Sequence, residues 1–185
     1  RLGQPPVTLT DAFGPVNFYL LPFFRPGYIR AQAEGEIIGG YDDAVRCAIR
    51  HMNVNPHERN VLVAHQFVCA SGSMPLRSDS EMIFVGGTEL VSAESVGGFD
   101  YVALGHLHQA QRVGGEFVRY AGAPLKYALG ESASLKSFAV VDLCSKGETR
   151  VQLVPVRPSI DLRTERGRLE ELLERPASDR DGDFI

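Results

Sequence analysis

Two short apolar runs constrain this chain more than any other feature. Val61-Leu62-Val63-Ala64 and Tyr101-Val102-Ala103-Leu104 contain no polar break. A strand with one wet face alternates polar and apolar residues, whereas an uninterrupted run requires a sheet covered on both faces. Such strands belong to α/β domains, in which parallel strands are sealed by other layers. Both runs also end on histidine, the first at His65 and the second at Gly105-His106.

The 185 residues suit one ordinary domain, and 44% hydrophobic with 23% charged residues is the balance of a globular protein. No apolar run approaches the ~18 residues that a membrane-spanning helix needs. The formal net charge of −4 excludes a protein that binds nucleic acid through overall positive charge, so a DNA surface would have to be local. Cys47, Cys69 and Cys144 are scattered and include no CxxC pair, which argues against a disulfide framework and favours a reducing cytoplasm. The chain opens on Arg1 with no apolar leader, which we read as a chain cut from something longer.

The remaining elements follow from periodicity. Val7–Leu9 and Val16–Leu21 read as strands, with a loop marked by Pro26 and Gly27. Asp42–Met52 reads as an amphipathic helix with carboxylates in its first turn and Arg50 and His51 in its last. Residues 71–87 read as an irregular loop and Glu89–Ser95 as a short helix. Two hairpins follow: Gln111–Val113 with Phe117–Tyr120 around Gly114-Gly115, and Ser137–Leu143 with Thr149–Val154 around Ser145-Lys146-Gly147. Glu165–Glu174 reads as a terminal helix.

His51 and His57 lie at a helix end and in a polar loop, positions typical of surface residues. His65, His106 and His108 each follow a buried strand, at the carboxyl end where open α/β sheets place ligands and chemistry. In Gly105-His106-Leu107-His108 the one-residue spacing lets both rings point the same way, and Gly105 permits a sharp turn as the chain leaves the strand. Imidazole is a good ligand for zinc, manganese, iron and nickel, and carboxylates complete sites for harder ions. On spacing alone, the pair is either a solvated loop or part of a metal site, and His65 at a second strand end favours the metal. Asp79 and Glu81 are candidates to orient a ligand histidine. Arg119, Lys126 and Lys136 are candidate phosphate contacts, or else line solvated strand faces. Gly86-Gly87 and Gly122 either admit a phosphate or simply turn the chain.

Taken in order, Val61–Phe67, Asp79-Ser80-Glu81, Gly86-Gly87, Phe99–His108 and the Arg119–Tyr127 segment Arg-Tyr-Ala-Gly-Ala-Pro-Leu-Lys-Tyr resemble the SbcD nuclease family. That family lies within the calcineurin-like metallophosphoesterases. Lys136-Ser137, Pro155, Asp161-Leu162-Arg163 and Arg166-Gly167 extend the resemblance, which runs from about Val7 to Leu173. Gly-His-Leu-His is common to many phosphoesterases, while its combination with the Arg119–Tyr127 segment is more specific.

The resemblance implies an α/β/β/α sandwich of two sheets, with a mixed sheet followed by β-hairpins and a C-terminal helix. It implies that residues 1–156 are the C-terminal portion of a nuclease domain and that 157–185 begin a capping domain. It implies two Mn2+ or other divalent ions, with His65, His106 and His108 among their ligands; Gly105, Asp79, Glu81, Arg119 and Lys126 stay candidates for supporting or substrate-facing places. The reaction implied is phosphodiester hydrolysis of DNA by exonuclease or endonuclease action, in repair, recombination and replication. The partner implied is an SbcC-type coiled-coil ATPase, in a homodimer or heterotetramer away from any membrane.

The family pattern also contains an Asp-x-His, a Gly-Asp and a Gly-Asn-His-Asp segment ahead of these motifs. Gly-Asp occurs here only as Gly182-Asp183, and the other two do not occur. The expectation is therefore a fragment that holds one ion weakly or none and is inactive alone. The alternative is a non-catalytic remnant that docks on a partner.

Overall fold

The computed structural model describes residues 2–78, 89–174 and 182–184. Strands β1 (Val7–Asp11) and β2 (Gly14–Leu21) form an antiparallel hairpin. A short helix α1 (Pro26–Arg30) follows, where the sequence suggested only a loop. Proline at the start of a helix loses no hydrogen bond and arrives with a helical φ, so Pro26 opens this turn rather than breaking it. Helix α2 (Tyr41–Arg50) buries Ala44, Val45 and Ala48, which helical periodicity pointed to, and also Cys47, which it did not.

The chain continues through β3 (Arg59–Ala64), β4 (Val68–Cys69), β5 (Val91–Ser92), β6 (Tyr101–Leu104), β7 (Gln111–Val113) and β8 (Gly115–Tyr120). The helix expected over Glu89–Ser95 is replaced by β5 and a 3-10 turn at Ala93–Val96. Val91 pairs with Val68, while the Ser92 side chain accepts from the Glu94 N–H at 3.2 Å and caps the turn. A further 3-10 turn spans Leu129–Glu131, and the hairpin β9 (Ser137–Leu143) and β10 (Thr149–Pro155) matches expectation closely. Helix α3 (Leu169–Leu173) begins four residues later than predicted.

One six-stranded sheet runs in the order β1-β2-β3-β6-β8-β7. Its four central strands are mutually parallel, with Ala64 beside Leu104 and Leu104 beside Tyr120. The chain therefore leaves β3, β6 and β8 along one carboxyl edge. The molecule is mixed α/β, as the apolar runs required. The main core packs α1 and α2 on one face around Tyr19, Leu62, Val102 and Leu104. On the other face Val16, Val61 and Tyr101 meet Val141, Leu143 and Val151 of the β9–β10 hairpin. This covering is why neither buried run alternates.

The hairpin is pinned at its turn end. Buried Arg59 pairs with Asp11 and donates to the carbonyls of Gly14, Leu143 and Cys144. Asp100 accepts from the Asn60 N–H at 2.7 Å, from Lys146 Nζ at 2.7 Å and from the Gly147 N–H at 3.2 Å. Among the described residues no helix is long and apolar enough to cross a membrane.

Candidate metal centre

The strand ladder continues one step past each strand end. The His65 N–H donates to Leu21 O, Gly105 N–H to Ala64 O and Ala121 N–H to Leu104 O, at 3.1, 2.8 and 2.9 Å. These bonds fix the backbone at the places where the sequence put its candidate ligands. Tyr120 holds the chain just beyond His65: its hydroxyl accepts from Val68 N–H at 2.6 Å and donates to Val68 O at 2.8 Å. Gln66 Nε2 ties the same loop to Pro22 O at 3.0 Å.

His65 and His106 come together, their ring centroids 5.5 Å apart and nearly perpendicular, with Phe67 5.8 Å from His106. Gly105 makes this possible in a way the sequence did not suggest. A Cβ at that position would lie 2.8 Å from His65 Nδ1, so glycine leaves the space that the ring occupies in this placement. The left-handed backbone belongs instead to His106, at φ 93°. A non-glycine residue there is strained by about 1–3 kcal/mol, and such strain clusters at functional sites.

His108 points elsewhere. Its ring lies 5.6 Å from that of Tyr127, and Nδ1 is 3.2 Å from Glu131 Oε1. A carboxylate on Nδ1 selects the tautomer whose Nε2 carries the lone pair, the arrangement that orients ligand histidines. Glu131 is buried and also meets Lys136 Nζ at 2.7 Å and the Tyr127 N–H at 3.2 Å. Burial alone would raise its carboxyl, but hydrogen bonds from Lys136, Ser78, Tyr127 and His108 prevail and bring it down to about 2. Sequence reasoning missed Glu131, since a carboxylate in a polar loop carries no local sign of burial.

The other candidates divide. Asp79, Glu81 and Gly86-Gly87 lie outside the described residues. Lys126 Nζ donates to Ser132 O, Asp161 Oδ2 and Leu162 O, tying the segment after β10 to the turn before β9. Arg119 pairs with Glu116. Lys136 is enclosed with Glu131 and also donates to His108 O at 3.0 Å. Gly122, at φ +78°, packs on the backbone: a Cβ there would lie 2.7 Å from Ala110 N and 3.1 Å from His108 O.

Among the described residues His65, His106 and His108 do not bring three ligand atoms within 4.8 Å of one another. Two adjacent rings and a third oriented by a carboxylate fit a share of a metal site. A pair of divalent ions also needs carboxylates to offset their charge. The carboxylate placed here, Glu131, is already bound to Lys136. The three residues therefore do not complete a two-ion centre by themselves.

The fold and this edge define a class: an α/β domain with a parallel-strand core and histidines gathered where its strands end. Its relatives narrow the class. Over 162 residues the chain is 27% identical to the SbcD subunit of the SbcCD nuclease from Staphylococcus epidermidis, a match covering 86% of this chain and 42% of the relative. It is 26% identical over 172 residues to the SbcD of Staphylococcus saprophyticus, covering 91% and 43%. Over 106 residues it is 38% identical to that of Bacillus subtilis, covering 55% and 27%. No family model matches the chain. The chain thus spans about two fifths of the length of the first two relatives.

Proposed function

We propose that this chain supplies the histidine-bearing share of the metal centre of a DNA-cleaving phosphodiesterase related to the SbcCD nucleases. The observation that carries this reading is the pairing of His65 and His106 across Gly105, at the carboxyl edge of the sheet. The names of the relatives support a nuclease. In this reading residues 1–156 are nuclease domain within a two-sheet sandwich and 157–185 begin a cap. Manganese or a similar divalent ion is the cofactor, DNA the substrate, an SbcC-type ATPase the partner, and repair or recombination in the cytoplasm the setting. This chain's own residues hold and orient ligands: Gly105 makes room for the His65 ring, and Glu131, backed by Lys136, sets the His108 tautomer.

The test measures hydrolysis of single- and double-stranded DNA with manganese, by this chain and by one extended through the reading frame upstream of Arg1. Activity in the extended chain that disappears with His106→Ala is the expected result. An inert extended chain, or one indifferent to His106→Ala, ends the assignment.

A second reading, a docking module without catalysis, rests on a specific surface. Val7 and Leu9 are exposed on the edge strand β1, and a cavity of about 440 Å³ lies between Val61, Val63 and Ala103 of the sheet and Phe138 and Val141 of the hairpin. Calorimetric titration with manganese separates the two. In the extended chain the docking module takes up no manganese in a His65-dependent manner, whereas the nuclease does.

A further inference from the structure

A second group of ligand-type side chains lies on the opposite side of the core, away from the strand ends. Cys47 and His51 stand one helical turn apart at the end of α2, and Glu36 reaches them from the loop before that helix. One ligand atom from each residue lies within 4.8 Å of those of the other two. Cys47 Sγ is 3.8 Å from His51 Nδ1, and His51 Nε2 is 3.8 Å from Glu36 Oε1. Zinc bonds of about 2.0–2.3 Å in a tetrahedron put neighbouring ligand atoms roughly 3.5 Å apart. The Nε2–Oε1 edge already has nearly this span, while the sulfur lies beside Nδ1 and reaches the ion by rotation of the Cys47 or His51 side chain.

We propose that Glu36, Cys47 and His51 form a binding site for a zinc-like divalent ion, with a fourth position left to water. Three features support it. First, His51 Nδ1 donates to Cys47 O at 2.9 Å, which assigns the lone pair to Nε2 on the side of Glu36. A ligand histidine is commonly held in this way by its other nitrogen. Second, the burial is graded. Cys47 is fully enclosed, while the His51 and Glu36 side chains remain 40% and 29% exposed, so an ion can arrive from solvent and meet the thiolate last. Third, the sulfur, nitrogen and oxygen donors together suit zinc or cobalt and disfavour magnesium and calcium.

Burial, then the hydrogen bond to Glu36, raises the Cys47 thiol, so the ion must displace a firmly held proton to solvent. The competing cation is Arg50, which pairs with Glu36 from a side chain 59% exposed. Its exposure lets it swing away into water as the ion binds. The site is independent of the strand-end histidines, and so of the nuclease reading.

Cobalt(II) titration of the whole chain tests the proposal, because a thiolate ligand gives a near-ultraviolet charge-transfer absorption. The protein carries Cys69→Ser and Cys144→Ser, which leaves Cys47 as its single thiol. The expected result is a saturable one-to-one signal, abolished by zinc and unchanged by His65→Ala with His106→Ala. His51→Ala and Glu36→Gln, both partly exposed, should each weaken cobalt binding roughly tenfold or more. Arg50→Ala should tighten it. Circular dichroism confirms that each variant is folded, so the result does not depend on substituting the buried Cys47. Absence of a thiolate signal at millimolar cobalt, or a signal indifferent to His51→Ala and Glu36→Gln, overturns the proposal.

Discussion

The imidazole of His65 fills the space in which a side chain on Gly105 would begin, with Nδ1 2.8 Å from the position of a Cβ. The ring belongs to an exposed side chain, so it can be displaced without disturbing the core.

Gly105→Ala should therefore cost under about 1 kcal/mol in urea denaturation, since the clash is with a ring that can rotate away. It should separate the His65 and His106 rings, seen as the loss of cross-ring contacts in NMR spectra. A large fall in stability with the rings still paired would contradict this account.

His106 supplies a comparison that isolates backbone strain. Both His106→Gly and His106→Ala lose the ring contacts with His65 and Phe67. Glycine relieves about 1–3 kcal/mol of left-handed strain and costs roughly 0.5–1 kcal/mol in unfolded-chain entropy. The glycine variant should be the more stable by about 1 kcal/mol, measured by denaturant midpoint at a constant m-value. An alanine variant of equal stability would refute the strain.

Glu131 and Lys136 form a pair with side chains only 4% and 6% exposed. Removing one partner strands a buried charge, so Glu131→Ala should cost roughly 3–5 kcal/mol. Glu131→Leu combined with Lys136→Met should cost clearly less than the two single changes summed, which a double-mutant cycle measures. Additive losses would mean the pair is not coupled.

The acid limb of stability should carry the same carboxylate. The Glu131 carboxyl is lowered from 4.5 to about 2, so the folded state favours its ionised form. Its contribution is fully present above the unfolded value and is lost as pH falls through the folded value. The stability difference between the native chain and Glu131→Gln should be constant above about pH 5 and shrink between about 4.5 and 2. A gap that widens on acidification would have the wrong sign.

Much of the fold was legible because burial is written locally. The runs at Val61 and Tyr101, the α2 stripe and the β9–β10 hairpin each carry their own period, and each forms where expected. Positions set by distant partners were not legible. Glu89–Ser95 has helical composition, but Val91 is claimed by Val68, while Asp42 accepts from the Ser92 N–H and the Ser95 hydroxyl. At the candidate site the histidines were visible from their place after each strand. That His106 rather than Gly105 takes the positive φ, and that Glu131 turns inward to His108, depend on contacts 23 residues or more apart.

The backbone carbonyl of His108 accepts from Ala123 N–H at 2.9 Å and from Lys136 Nζ at 3.0 Å. The loop that carries this residue is thus held through its peptide group as well as through the imidazole bound to Glu131. Exchange of the side chain at 108 therefore removes the Glu131 and Tyr127 contacts but leaves both backbone anchors of the loop in place.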